Sequence, residues 1–339
     1  MKYKKLGKTG LLVSEICLGT MTYGGKGFWE VIGKLGQSSV DSQLKIATDE
    51  GVNFIDTADV YHEGESEKLT GQAIKNLGLN RHNLILATKV RGRMGANPNE
   101  VGLSRKHILN SIDESLKRLN MDYVDLYQIH GVDPLTPMEE TLEALNDVVR
   151  SGKVRYIGFC NLPAWRVMKA LSISEKKGYA SFVSAQMYYT IAGRDIEREI
   201  APLALEEGLG ILPWSPLAGG LLTGKFNKAG EGPADARRTQ FDFPPVNKDR
   251  VFACVDAMRP LANKKAVSIS QIALAYLLQK QFVTSVIIGA KTDEQLIDNL
   301  ASTKVILAPE EVKVLDEIST LPAEYPGWMV EFQGRDRAI

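Results

Sequence analysis

The chain has 339 residues, with 41 basic and 41 acidic side chains, a formal net charge of zero, 44% hydrophobic and 24% charged content. Those proportions predict a soluble globular protein of one large domain or two ordinary ones, and the missing basic excess argues against nucleic-acid binding. No run approaches the ~18 apolar residues of a membrane span, so no membrane partner is expected.

The N-terminal MKYKKLGKTG is basic but has no apolar stretch after it, which predicts no signal peptide. Cys17, Cys160 and Cys254 are scattered and lack metal spacing, as suits a reducing, cytoplasmic setting. Tyr3 to Leu6 and Leu11 to Val13 flank Gly7-Lys8-Thr9-Gly10, the pattern of a β-hairpin. Ile16 to Leu18 is a short strand that ends in Gly19, Thr20 and Met21. A glycine-rich stretch with Tyr23, Phe28 and Trp29 follows, and binding residues concentrate on such loops.

A rhythm then sets in. Helix is predicted over 43–49, 65–76, 104–119, 137–151, 162–177, 196–207, 270–281 and 293–302. Strand is predicted over 53–56, 84–89, 124–130, 156–159, 182–186, 210–213 and 284–288. The clearest helix has Ile108, Ile112, Leu116 and Leu119 on one face, with Ser104 as its N-cap. Counted from Ile16 there are eight strands, nearly all followed by a helix. Alternation of this kind implies a parallel sheet with helices outside it, and eight units favour an α/β fold of the closed (β/α)8 TIM-barrel type. A doubly wound open sheet is the alternative, but no glycine-rich dinucleotide fingerprint joins a strand to a helix. We read residues 1–339 as one such domain, with an N-terminal hairpin, a long stretch over 216–265, a surface loop over 227–250 and a tail from Pro309.

Charged strand ends carry the chemistry. Asp56 closes a buried strand, Lys89 closes the next and His130 the one after, with Tyr61 on the first loop. In a β/α barrel such ends face one mouth, and adjacent strands lie ~4.8 Å apart, so one ligand reaches all of them. Taken alone, each has a structural explanation: a loop cap, a snorkelling Lys, a packed His. Together they form a complementary set. Asp56 should keep Lys89 protonated, and Lys89 should lower the Tyr61 phenol from ~10, making it a proton shuttle. His130 would orient a carbonyl oxygen or assist the relay. None of these groups supplies electrons, so a hydride-donating cofactor is implied.

The stretches NFIDTADVY, ATK and QIH, with GFCN, VSAQMYY, PWSPLAGGLLTGK and IIGAKTDEQLIDNL, resemble the aldo-keto reductase family from the hairpin to about Leu300. The resemblance implies a barrel that binds a nicotinamide cofactor without a Rossmann domain. It makes Asp56, Tyr61, Lys89 and His130 the catalytic tetrad, with Tyr61 as general acid/base. It assigns Cys160, Asn161 and Gln186 to the carboxamide, Trp214 to stacking on the nicotinamide, and Ser215, Leu217, Gly219 and Lys225 to the pyrophosphate. Gly19, Thr20, Met21 and Asp56 are further cofactor-binding positions, while Gly289, Lys291, Thr292, Gln295 and Asn299 match the adenosine side. Lys291 and Thr292 suit a 2′-phosphate, which predicts NADPH (NADP+) over NADH, with NADH still usable. Cys160 stands where many members have Ser, and a thiol is the weaker hydrogen-bond partner.

The expected activity is reversible reduction of an aldehyde or ketone to an alcohol. One alternative is a cofactor-binding regulatory subunit resembling potassium-channel β-subunits. Another is a Schiff-base aldolase using Lys89, which the pairing with Asp56 opposes. The expected pocket wall is Tyr23, Phe28, Trp29, His62, Tyr188 and the 227–250 loop, aromatic and uncharged, suited to neutral carbonyl compounds or sugars. The sequence leaves self-association undetermined, and does not decide whether the YPGWMVEFQ tail covers the mouth or packs below the barrel.

Overall fold

The computed structural model describes residues 1–337 apart from residue 235, which lies in the 227–250 stretch. Strands β1 (Tyr3–Lys5) and β2 (Leu12–Ser14) pair antiparallel, with Tyr3 opposite Ser14. Gly7 turns this hairpin at φ +60, and a Cβ there would stand 2.6 Å from the carbonyl oxygens of Val183 and Gly208. Only a glycine lets the turn come that close to the barrel's lower rim. Lys4 holds the hairpin there by donating to the Val283 oxygen at 2.8 Å. Leu6 and Val13 then plug the barrel interior against Phe54, Leu126, Leu212 and Ile287.

The barrel strands are β3 (Ile16–Gly19), β4 (Phe54–Asp56), β5 (Ile85–Val90), β6 (Val124–Ile129), β7 (Val154–Cys160), β8 (Phe182–Tyr188), β9 (Gly210–Trp214) and β10 (Val286–Ile288). They pair in parallel in the order β10-β3-β4-β5-β6-β7-β8-β9. The Thr284 N–H donates to the Ile211 oxygen at 2.9 Å and brings the chain entering β10 against β9, which nearly closes the ring. This is the expected (β/α)8 TIM barrel.

The helices between strands follow the apolar spacing. They are α1 (Gln37–Asp49), α2 (Glu65–Asn76), α3 (Arg105–Leu119), α4 (Met138–Arg150), α5 (Ala164–Lys177) and α6 (Ile200–Glu207). After β9 come α7 (Arg237–Gln240), α8 (Lys248–Lys265) and α9 (Ile269–Leu278), and after β10 comes α10 (Asp293–Ala301). In α3 the Ser104 hydroxyl accepts the His107 N–H at 3.3 Å, and Asn120 ends the helix at φ +54. Ile108, Ile112 and Leu119 are fully buried against the sheet.

Among the described residues, four helices lie where sequence periodicity gave none: the short α7, α8, α11 (Pro309–Ile318) and α12 (Gly327–Gly334). Pro260 interrupts α8, and the buried face of α11 includes Glu311, which Lys265 pairs at 2.9 Å. These features blur the apolar spacing that would have marked α8 and α11. The tail helix α12 exposes Trp328, Val330 and Phe332 and lines no part of the mouth. The 227–250 stretch is not a plain surface loop: Arg238 is buried in it, donating to the oxygens of Ala218 at 3.2 Å and Pro244 at 2.6 Å.

Candidate active site

Parallel register sets the floor. Asp56 pairs with Ala87, and Lys89, two residues on, points to the same face one step higher. The Lys89 Nζ donates to Asp56 Oδ2 at 2.6 Å, to the Thr57 oxygen at 2.9 Å and to the Tyr61 hydroxyl at 3.2 Å. All three of its protons are therefore placed. The second Asp56 oxygen accepts from Gln128 and Gln186, each at 2.9 Å. Burial alone would pull the Lys89 ammonium down, but the Asp56 carboxylate and the Tyr61 phenol hold it well above its ordinary value. Lys89 is a protonated cation at the barrel floor.

Tyr61 opens a short turn in which His62 and Glu63 adopt left-handed backbone, φ +51 and +57. The His62 ring holds that turn. Its Nδ1 accepts the Lys26 N–H at 3.3 Å, so its Nε2 carries the proton and donates to the Met21 oxygen at 3.0 Å. The phenol of Tyr61 meets the His130 ring edge-on at 5.7 Å and the Trp29 ring at 5.3 Å. Burial raises the Tyr61 phenol above 10, more than Lys89 lowers it. The expected net depression is thus not found. Burial, then Lys89, then Arg91 push His130 well below its usual range, so its imidazole is neutral.

Above this floor lies a cleft of about 920 Å³, roomy by the ~300–1,000 Å³ of small-molecule sites. Asp56, Tyr61 and His130 line it, while Lys89 lies fully buried beneath. Gly19, Thr20, Met21, Asn161, Gln186, Trp214, Ser215, Leu217, Gly219, Lys225, Gly289, Lys291, Gln295 and Asn299 all lie on its wall. Cys160 and Thr292 do not. Cys160 is buried, its thiol pushed up by that burial, and the Thr292 hydroxyl caps α10 by accepting the Gln295 N–H at 3.3 Å. The Trp214 indole N–H donates to Asn161 Oδ1 at 2.9 Å, and its ring stacks parallel to Phe243 at 6.1 Å.

Of the expected pocket wall, Phe28 and Trp29 face the cleft. Tyr23, His62 and Tyr188 do not: Tyr23 and His62 are buried behind it, and Tyr188 backs Trp214 at 5.2 Å. The wall is also not uncharged, because Arg91 and Arg237 lie on it. The 227–250 stretch, expected on the wall as a whole, lines it through Arg237, Phe241 and Phe243, while sequence reasoning missed Arg91 and Gln128. Gln128 was within reach, as a polar residue inside an apolar strand.

The donor set fits an elongated ligand with an amide at one end and anionic groups at the other. Asn161 and Gln186 offer amides next to Trp214. Ser215, Ala218, Gly219 and Gly220 form a run of left-handed residues, φ +50 to +100, the kind of backbone that builds anion-binding concavities. A Cβ on Gly219, whose φ is +65, would stand 3.0 Å from the Phe243 oxygen, so a side chain there would be crowded and strained. Lys225 and Lys291 line the same end.

The family model described as "Aldo/keto reductase family" matches residues 15–320. A probable voltage-gated potassium channel subunit beta of Oryza sativa subsp. japonica is 36% identical, covering 94% of this chain and 96% of its own length. A versiconal hemiacetal acetate reductase of Aspergillus parasiticus is 34% identical, over 96% of this chain and 99% of its own. A putative aryl-alcohol dehydrogenase of Schizosaccharomyces pombe is 35% identical, over 93% and 95%.

Proposed function

The chain belongs to the aldo/keto reductase family, and on that premise we propose that it is an NADPH-dependent oxidoreductase interconverting a carbonyl compound and its alcohol. The observation that carries this reading is the placement of Lys89 at 3.2 Å from the Tyr61 hydroxyl, with His130 beside it, at the base of a nucleotide-sized cleft. The bound cofactor would supply the hydride. The protein's own groups do the rest. Neutral His130 and the Tyr61 hydroxyl hold the carbonyl oxygen, and Tyr61 gives it a proton as charge develops there. The Lys89 ammonium stabilises the phenolate left behind, and Asp56, held by two glutamines, keeps that cation in place. Asn161 and Gln186 would hold the carboxamide, Trp214 the ring, and Lys225 and Lys291 the phosphates.

A second reading has one observation in its favour, the similarity to proteins named as potassium-channel β-subunits. In that case the site binds cofactor and turns over little. The Schiff-base alternative needs a neutral Lys89 amine, which the ion pair with Asp56 at 2.6 Å opposes.

The test is a tryptophan-fluorescence titration with NADPH and then NADH, followed by steady-state assays on a panel of aldehydes and ketones. Tighter NADPH binding with turnover supports the reductase. Tight binding without turnover on the whole panel favours the regulatory reading. No binding of either nucleotide overturns both.

A further inference from the structure

The loop over 25–34 puts Phe28 and Trp29 on the cleft wall, yet little holds it down. Its neck is closed on itself: the Gly24 N–H donates to the Leu35 oxygen at 2.9 Å, and the Leu35 N–H to the Thr22 oxygen at 3.2 Å. Beyond the neck, among the described residues, both hydrogen bonds that tie the loop to the rest of the chain come from Lys26. One is the Lys26 ammonium pairing with Glu65 at 3.0 Å, partly exposed, and such pairs hold weakly. The other is the Lys26 N–H donating to His62 Nδ1 at 3.3 Å.

His62 is fully buried and stands next to Tyr61, in the same turn. A Cβ on Gly24 would lie 2.6 Å from its ring, so a glycine there lets the loop close over it. The Trp29 ring lies 6.1 Å from the His62 ring and 5.3 Å from that of Tyr61, and Phe28 meets Phe241 at 5.0 Å. One imidazole thus joins the turn of the proton donor to the aromatic wall. Its Nε2 donates to the Met21 oxygen at 3.0 Å, which leaves Nδ1 as an acceptor. A second proton would go on Nδ1 and set two N–H groups face to face, so a charged ring cannot hold the loop. The surrounding charges are Lys26, Glu30 and Lys34 on the loop, Glu63 in the turn, and Glu65 and Lys68 on α2. Burial pulls His62 below its usual range, by more than the Met21 carbonyl, Glu30 and Glu65 raise it, so the ring is neutral at pH 7.

We propose that neutral His62 is a positioning residue, which clasps the 25–34 loop to the Tyr61 turn so that Trp29 and Phe28 form a fixed wall for an aromatic carbonyl substrate, and that acid releases this clasp. The proposal deepens the reductase reading and rests on it. The clasp acts on substrate binding, through the wall, and leaves the proton transfer from Tyr61 unchanged.

The test compares para-chlorobenzaldehyde with propanal, which is too small to use the wall. His62→Gln reaches the Met21 oxygen but offers the Lys26 N–H no acceptor. His62→Asn places an oxygen near the position of Nδ1, tolerates the left-handed backbone and does not titrate. In His62→Gln, KM for the aromatic aldehyde should rise about fivefold or more, while its kcat and the KM of propanal stay within about twofold of wild type. His62→Asn should keep KM near that of wild type. Lowering the pH from about 7 to about 5, through the histidine range, should raise the wild-type KM for the aromatic aldehyde and leave that of His62→Asn level. An unchanged KM in His62→Gln, an equal rise for both aldehydes, or the same acid response in His62→Asn overturns the proposal. If melting curves show neither variant folded, the ¹⁵N-histidine spectrum of the wild type decides. A neutral Nε2–H tautomer whose titration tracks the rise in KM upholds the clasp, and an Nδ1–H tautomer overturns it. Turnover of neither aldehyde sinks the reductase reading. The clasp is then judged by calorimetric titration of the protein with para-chlorobenzaldehyde in the presence of NADP+. Binding weakened in His62→Gln and kept in His62→Asn upholds it, and equal binding by all three proteins overturns it.

Discussion

The floor and the mouth of this barrel are built by different physics. The floor is strand-borne: Asp56, Lys89, Gln128 and Gln186 are all buried, and their polar atoms bond to one another. The mouth is loop-borne and aromatic. Trp29 meets Phe28 at 5.9 Å, Phe28 meets Phe241 at 5.0 Å, Phe241 meets Phe243 at 5.5 Å, and Phe243 stacks on Trp214. A continuous series of rings thus runs from Trp29 to Trp214 along the opening. A buried ionic floor tolerates no missing member, whereas partly exposed rings are replaceable one at a time. The floor should therefore fix the reaction and the mouth the choice of substrate.

Lys89→Met breaks the floor most severely. It leaves the Asp56 carboxylate buried without its cation, which costs about 3–5 kcal/mol, and it removes the group that supports the Tyr61 phenolate. We expect both a lowered melting temperature and loss of turnover. The double variant with Asp56→Asn should recover much of the stability and none of the activity. If Lys89→Met melts like wild type, the floor is not the ionic unit described. Tyr61→Phe should separate the two properties. Carbonyl reduction should fall by about 10²- to 10⁴-fold, the usual worth of a positioned acid, with stability and NADPH affinity little changed. Full activity in this variant would remove Tyr61 from the mechanism.

The same division governs what the sequence disclosed. Asp56, Lys89 and His130 were legible because a charged or polar group closing a buried strand is costly, so it signals a partner. Gln128 carries the same signal within DLYQIH, a polar side chain inside an apolar strand two residues before His130. The mouth was legible in Phe28, Trp29 and the 227–250 stretch as a whole, but not in the individual residues of that stretch. Phe241 and Phe243 lie in a stretch without period, rich in proline and charge, and nothing local marks a ring there as facing a cleft. Tyr23 and His62 fall behind the wall because the glycine-rich stretch folds inward onto the turn after β4: a Cβ on Gly24 would stand 2.6 Å from the His62 ring. The net direction of the Tyr61 shift was beyond sequence too, because it depends on how deeply the barrel buries the phenol.

Phe243→Ala tests the mouth. Phe243 is 40% exposed, and each of its two ring contacts is worth about 0.5–1.5 kcal/mol. KM for a bulky carbonyl substrate should change by up to about tenfold, while kcat for a small one and the melting temperature move little. A collapse of kcat for every substrate would show that the ring also orders the floor, through Trp214 and its bond to Asn161.

The smallest expected effect is that of pH on the rate. Reduction needs a protonated Tyr61 and a neutral His130. Burial holds the first above 10 and the second well below 6.5, so the rate should be flat between about pH 6 and about pH 9. Stability should not be flat. The unfolded His130 takes up a proton near pH 6.5 that the folded site refuses, so the folded state loses stability as pH drops below that point, by up to about 1.4 kcal/mol per pH unit. Rate profiles and melting curves over the same buffers separate the two effects, and His130→Gln should lessen the acid sensitivity of melting. An inflection of the rate near pH 7 would mean that one of these groups titrates in the working site. The floor would then be wetter than its burial implies, and its contrast with the mouth correspondingly weaker.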